Sequence, residues 1–118
     1  MLVVNRFVVA EADQDAFTAR AAQALNALAA RPGYLRGSLG RGYDDPQWWS
    51  LVTEWESVGA YRRALSAFEV RVGATPLLAD ALDEPSAYEE LATAGPGGEV
   101  LLRGSDRSHG TGPLPSPP

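Results

Sequence analysis

Residues 47–61, QWWSLVTEWESVGAY, change their periodicity once, and that change constrains the fold more than any other stretch. Over residues 47–56 aromatic and β-branched side chains dominate, which reads as a strand. Its parity sets Trp49, Leu51, Thr53 and Trp55 on one face and Trp48, Ser50, Val52 and Glu54 on the other. Ser57 then stands where a helix N-cap belongs. Beyond it Tyr61, Ala64, Leu65 and Phe68 recur at i, i+3, i+4 and i+7, the apolar stripe of an amphipathic helix. A strand therefore delivers an indole, Trp55, directly to the start of a helix that carries a phenol, Tyr61.

The remaining segments supply the other layers. Residues 2–10 read as a strand with Val3, Asn5, Phe7 and Val9 on one face and Val4, Arg6 and Val8 on the other. Both faces are largely apolar, which suits a sheet covered on two sides. Asp13 or a neighbour caps a helix running to about Arg31, with Phe17, Ala21, Leu25 and Leu28 as its stripe. Pro32-Gly33 ends it. A second strand spans residues 34–43, and Asp44-Asp45-Pro46 turns it into a hairpin with the third. Pro76 interrupts residues 70–82, where Leu77, Leu78 and Leu82 suggest a short second helical piece. Residues 86–92 are expected as the last strand. The order β-α-β-β-α-β predicts an α+β, ferredoxin-like antiparallel sheet of four strands with two helices on one face. A second subunit is the simplest cover for the other face.

Residues 1–92 are read as this domain and residues 93–118 as a flexible Gly/Pro-rich tail, in which Val100-Leu101-Leu102 could pair with a sheet edge. At 118 residues the chain fits one small domain. With no cysteine, it can form neither disulfides nor thiolate sites. All ten basic residues are arginines, scattered in a chain of net charge −5, so nucleic acid is not an expected partner. No apolar run has the length of a membrane span, and the apolar start is too short for a signal peptide, so a cytoplasmic protein is expected.

The residue types restrict the chemistry. The single histidine, His109, falls in the tail, so no His–carboxylate base or His metal cluster can assemble in the domain. Gly37, Gly40 and Gly42 lack the strand-to-helix context of a phosphate loop. Neither metal nor organic cofactor is expected. On the third strand, Trp49, Leu51, Thr53 and Trp55 form either a wall for a flat ligand or ordinary core packing. Asn5 is either a polar handle aimed into a pocket or an amide bonded to nearby backbone. Tyr61 is either a core tyrosine with its hydroxyl at the rim or a hydroxyl that hydrogen-bonds a substrate phenol or carbonyl, and Tyr34, after the Pro-Gly turn, reads first as strand-start packing. Arg71 is either a solvated cation or a partner for an anionic oxygen.

Arg31-Pro32-Gly33-Tyr34 after the first helix, Asp44-Asp45-Pro46 in the hairpin, and Thr53-Glu54-Trp55-Glu56-Ser57 leading to Ala60-Tyr61 together resemble the antibiotic biosynthesis monooxygenase (ABM) domain family. The resemblance covers about residues 1–92. It implies a homodimer of ferredoxin-like subunits, a dimeric α+β barrel with a pocket for a small aromatic molecule in each. One branch of the family oxidises anthrone-like polyketide intermediates with O2 and no cofactor. Trp55 and Tyr61 match that branch's pocket Trp and Tyr. Leu51 stands where it has Asn, and Arg41 where it has a hairpin His. Another branch degrades haem. Asn5 matches its first-strand Asn, whereas Ala64 and Gly73 replace its helix Trp and axial His.

The resemblance thus implies catalytic roles for Asn5, Trp55 and Tyr61 and substrate contacts from Trp49, Leu51, Tyr34, Phe68 and Arg71. The function expected is cofactor-independent oxygenation of a flat polyketide-type phenol. The alternatives are a binding protein without turnover and a cyclase on the same scaffold, with haem degradation less well matched.

Overall fold

Why β3 sits at the centre of the sheet follows from its sequence: it is the one strand whose inward residues are all large or hydrogen-bonded. The computed structural model describes residues 1–104. Its elements run β1 (Leu2–Val8), a 3-10 turn (Glu11–Asp13), α1 (Gln14–Ala29), β2 (Tyr34–Arg41), β3 (Trp48–Trp55), α2 (Val58–Ser66), α3 (Phe68–Gly73), α4 (Thr75–Leu78) and β4 (Ala87–Tyr88). The sheet order is β2-β3-β1-β4, antiparallel throughout, which is the ferredoxin-like arrangement. In the register Phe7 faces Trp49, Asn5 faces Leu51 and Val3 faces Thr53. Those residues share the face on which the helices pack.

The core forms there. Val3, Phe7, Trp49, Leu51 and Trp55 from the sheet meet Phe17, Ala21, Ala24 and Leu28 of α1, Ala60 and Ala64 of α2, and Val70, Ala74 and Leu77 beyond. Small residues on α1 and α2 let the helices approach while the sheet supplies the bulk. The opposite face carries Leu2, Val4, Val8, Trp48 and Val52 among Arg6, Arg36, Ser50 and Glu54, and no element of residues 1–88 covers it.

Two corrections concern the helices and the last strand. The stripe expected to run through Phe68 stops early, because Ala67 is extended (φ −71°, ψ 142°) and separates α2 from α3. The Ser66 hydroxyl donates to the Arg63 carbonyl at this break (2.8 Å). The phase restarts, and Phe68 is 73% exposed. The strand expected over residues 86–92 pairs only at Ala87–Tyr88, opposite Val3 and Leu2. Beyond Tyr88 the antiparallel register runs past the start of β1.

A second unit begins at Glu89. In it β5 (Ala92–Thr93) pairs with β6 (Leu101–Leu102), and Gly97 at φ 63° closes the turn with the Gly98 amide donating to the Gly95 carbonyl (3.1 Å). Part of the stretch read as a flexible tail therefore forms a hairpin. Residues 105–118, with His109, lie outside the described residues. No helix among those described is long and apolar enough to cross a membrane.

Local capping is as the sequence requires at α2. The Ser57 hydroxyl accepts the Ala60 amide (3.1 Å). Ser57→Ala should cost about 1 kcal/mol of unfolding free energy. Urea titration followed by circular dichroism would measure it; a change under a few tenths would mean that water replaces the cap without loss.

Candidate functional site

Trp55 ends β3 with its indole turned under α2. It is fully buried, and its Nε1 donates to the Thr53 hydroxyl (2.9 Å), itself buried on the same strand face. Residues i and i+2 of a strand point the same way, so the strand supplies its own partner for the indole. Tyr34 packs edge-on against the ring (centroids 5.3 Å apart, planes at 85°), and Tyr61 lies tilted on it (5.5 Å, 54°). Contacts of this geometry are favourable beyond simple burial. β2, β3 and α2 thus bring three aromatic side chains together where the sheet meets α2.

The phenols carry the polarity of this cluster. Neither hydroxyl makes a hydrogen bond among the described residues. Burial raises the Tyr61 pKa, and that of Tyr34 is raised for the same reason. Both therefore stay protonated in the neutral range and can donate to an acceptor. Gly37 makes room for the second of them: a Cβ there would stand 2.5 Å from the Tyr34 hydroxyl oxygen.

Asn5 stands apart from the cluster. It is half-buried on the helix-facing side of β1, opposite Leu51, with its amide unbonded among the described residues. Leu51 precedes Trp55 by four residues, so Asn5 lies roughly 13 Å from Trp55 along the sheet. Thr53, Val3 and Leu51 cover the sheet in between. Trp49 is farther still, packed between Phe17 (5.3 Å) and the Arg41 guanidinium (5.7 Å) at the hairpin end of β3. Arg71 is on the exposed side of α3, as is Phe68. The structure brings Trp55, Tyr61 and Tyr34 together, and leaves Asn5, Trp49, Phe68 and Arg71 elsewhere.

Several concavities, four of them described below, open among the described residues. One of about 360 Å³ lies between the end of β1 and α1, lined by Phe7, Val9, Phe17, Arg20 and Asp80. Others open on the uncovered sheet face, beside Arg36 and Glu54, beside Leu2, Val4 and Tyr88, and beside Arg6, Trp48 and Ser50. None of the four is lined by Asn5, Trp55 or Tyr61. The first rests on residues that sequence reasoning passed over; Phe7 and Phe17 were legible as core, but not as the floor of a hollow. Among the described residues no three His, Cys, Asp or Glu side chains gather as a metal ion requires.

The sequence profile described as antibiotic biosynthesis monooxygenase matches residues 1–75. Among solved structures the chain is similar to SnoaB from Streptomyces nogalater, a cofactor-independent oxygenase solved as an Asn-to-Ala mutant. The two are 25% identical with a TM-score of 0.60, over 91% of this chain and 93% of that one. It also resembles a conserved protein from Methanosarcina mazei (16% identity, TM-score 0.60, 73% and 84% covered). A third likeness is to a putative antibiotic biosynthesis monooxygenase from Nitrosomonas europaea (14%, 0.58, 88% and 96%). The last two speak to the fold alone. No match was found among curated protein sequences.

Proposed function

The chain belongs to the antibiotic biosynthesis monooxygenase family, and on that premise we propose that it oxidises a flat, polyketide-type phenol with O2 and no added cofactor. The observation that carries this reading is the Tyr61 hydroxyl, partly buried and unbonded against the Trp55 indole. The likeness to SnoaB over nine-tenths of both chains supports it.

In the reaction an anthrone-type CH2 and O2 become a C=O and water. The substrate loses a proton to water, and the resulting electron-rich anion passes one electron to O2. The radical pair recombines to a peroxide, which takes up a proton and loses water to leave the quinone. The substrate CH2 supplies all four electrons, which reduce the two atoms of O2 to the carbonyl oxygen and water. Tyr61, held protonated by its burial, donates to the substrate oxygen on which negative charge grows, and a donor placed there favours the transition state. Trp55 and Tyr34 hold that phenol in place. Asn5, roughly 13 Å along the sheet with Val3, Leu51 and Thr53 packed in between, does not reach a ligand held at Tyr61. Trp49, Leu51, Phe68 and Arg71 take no part in a ligand held at Tyr61.

The working unit is a homodimer joined through the uncovered sheet face, where Leu2, Val4, Val8, Trp48 and Val52 present apolar surface. An exposed apolar patch of this kind marks an association surface.

The test is oxygen uptake and quinone formation with emodin anthrone under air. Wild type should exceed the uncatalysed rate, and Tyr61→Phe should lower kcat/KM on the order of a hundredfold. A rate equal to that without protein sinks the reading. A second reading, an aromatic-binding protein without turnover, is favoured by Leu51 and by the Trp55 indole, whose donor Thr53 already satisfies. It predicts anthrone binding with no oxygen uptake.

A further inference from the structure

Toward its carboxyl end β1 loses its outer neighbour. Val9 donates to the Gln47 carbonyl (2.8 Å), so the odd-numbered residues of β1 bond to β3 and the even-numbered ones turn their N–H and C=O the other way. On that outer side Val4 donates to the Ser86 carbonyl (2.7 Å), and the Arg6 carbonyl accepts the Leu82 amide (2.8 Å). Val8 is next in the series. Its partner in register, Trp48, spends its carbonyl on the Gly42 amide (2.6 Å). The Val8 N–H and C=O are both left without a hydrogen bond among the described residues. The open segment is one residue long, because the Ala10 carbonyl beyond it accepts the Asp13 amide (2.9 Å).

This edge borders the cavity of about 360 Å³ between β1 and α1. The floor is Phe7, Val9 and Phe17, with the two phenyl rings edge to face at 5.0 Å. Val8 lines the same cavity, although its side chain belongs to the opposite face of the sheet, so its main chain is what borders the hollow. Arg20 is the cation that lines it, and Asp80 already pairs with that guanidinium (3.1 Å). The remaining charge in the lining is the Asp13 carboxylate, which disfavours an anion.

We propose that this cavity binds a flat, neutral lactam, whose carbonyl accepts the Val8 N–H, whose N–H donates to the Val8 carbonyl, and whose fused ring lies over Phe7, Val9 and Phe17. The N–H and C=O of one extended residue point to the same side, and the cis amide of a lactam offers the complementary acceptor and donor side by side. A hollow of this size is at the small end of ligand sites and suits a bicyclic ring. An added peptide strand is not the occupant, since it needs bonds at every second residue and the carbonyls of Arg6 and Ala10 are taken. Phe7 faces Trp49, and Trp55 lies roughly 20 Å farther along β3. The site is therefore separate from the Tyr61 cluster and stands whether or not that cluster turns over substrate.

The probe is 2-quinolone, with N-methyl-2-quinolone as the counterpart that lacks the donor, each titrated into the full chain by calorimetry and by NMR of the backbone amides. Quinolone should bind one per chain, and the N-methyl compound about tenfold more weakly, the worth of one hydrogen bond. The Val8 amide proton should move downfield as it gains an acceptor. Val8→Pro removes that N–H at a position facing away from β3, where an edge strand tolerates proline. It should weaken quinolone about tenfold with folding unchanged by circular dichroism. Val8→Ala, which alters only the side chain on the far face, should bind like wild type. Equal affinity for the two compounds, a Val8 amide that stays put, or no uptake of quinolone would each overturn the proposal, and none of these readings needs the proline variant to fold.

Discussion

Trp55→Ala should lower the free energy of unfolding by about 3–5 kcal/mol, the range for emptying a large aromatic site in a packed core. The indole is fully buried between two tyrosines, and neither can swing into the space without leaving its own strand or helix. The loss does not end with volume. Thr53 is 2% exposed, and its hydroxyl accepts the indole N–H. Removing the ring strands that hydroxyl in an apolar setting. Against a total of roughly 5–15 kcal/mol for a domain, one such change takes away a large share. Urea unfolding followed by far-ultraviolet circular dichroism measures it, since two other tryptophans confuse the fluorescence. A shift below about 1 kcal/mol would show that the ring is loosely held, below the cost usual for a packed aromatic. The same argument separates stability from catalysis: Trp55→Phe keeps most of the packing, and is the variant to compare in the anthrone assay.

Gly33→Ala is expected to cost about 2–4 kcal/mol, combining a left-handed backbone with an overpacked contact. Gly33 ends the turn after α1 at φ 87°, where its carbonyl accepts the Glu56 amide (2.8 Å). An added Cβ would stand 2.4 Å from the Cβ of Ala60, which is buried in the first turn of α2. The two causes can be separated. Gly33→Ala combined with Ala60→Gly removes the collision and leaves the backbone strain, so the double variant should be more stable than the two single losses add up to. Strict additivity in the unfolding midpoints would mean that the two positions do not meet. This turn also sets Tyr34 against Trp55, so the cluster and the scaffold depend on the same residue.

The fold was legible because its signals were redundant. β3 alternates large inward residues with mixed outward ones over its whole length, and the observed parity is the one its sequence dictates. Ser57 announced α2, and Pro32-Gly33 announced the end of α1. The break at Ala67 left no such trace. It contains neither glycine nor proline, so no local pattern marks it, although Val70 and Leu77 beyond it are buried in the core. The β5–β6 hairpin had a readable cue in Pro96-Gly97, a turn dipeptide between short apolar runs, but the surrounding glycines hid it.

The candidate site was legible only in part. That Trp55, Tyr61 and Tyr34 would meet followed from the strand-to-helix junction and the turn before β2. That Asn5 would face the helices followed from parity. Its distance from Trp55 did not, because separation along the sheet depends on the register of the β1–β3 pairing, which joins segments far apart in the chain.

β2 forms one margin of the four-stranded sheet, with a hydrogen-bonded neighbour on one side only. An unpaired margin is a template on which further chains can stack into filaments. This one is poorly suited to that use. Gly37 and Gly40 give it little side-chain surface to lock against, Arg36 and Arg41 place positive charge along it, and a register shift between Tyr34 and Arg36 bends it. The strand that ends at Arg41 is thus a margin that discourages lateral stacking. Exchanging its glycines and arginines for β-branched residues should favour fibre growth.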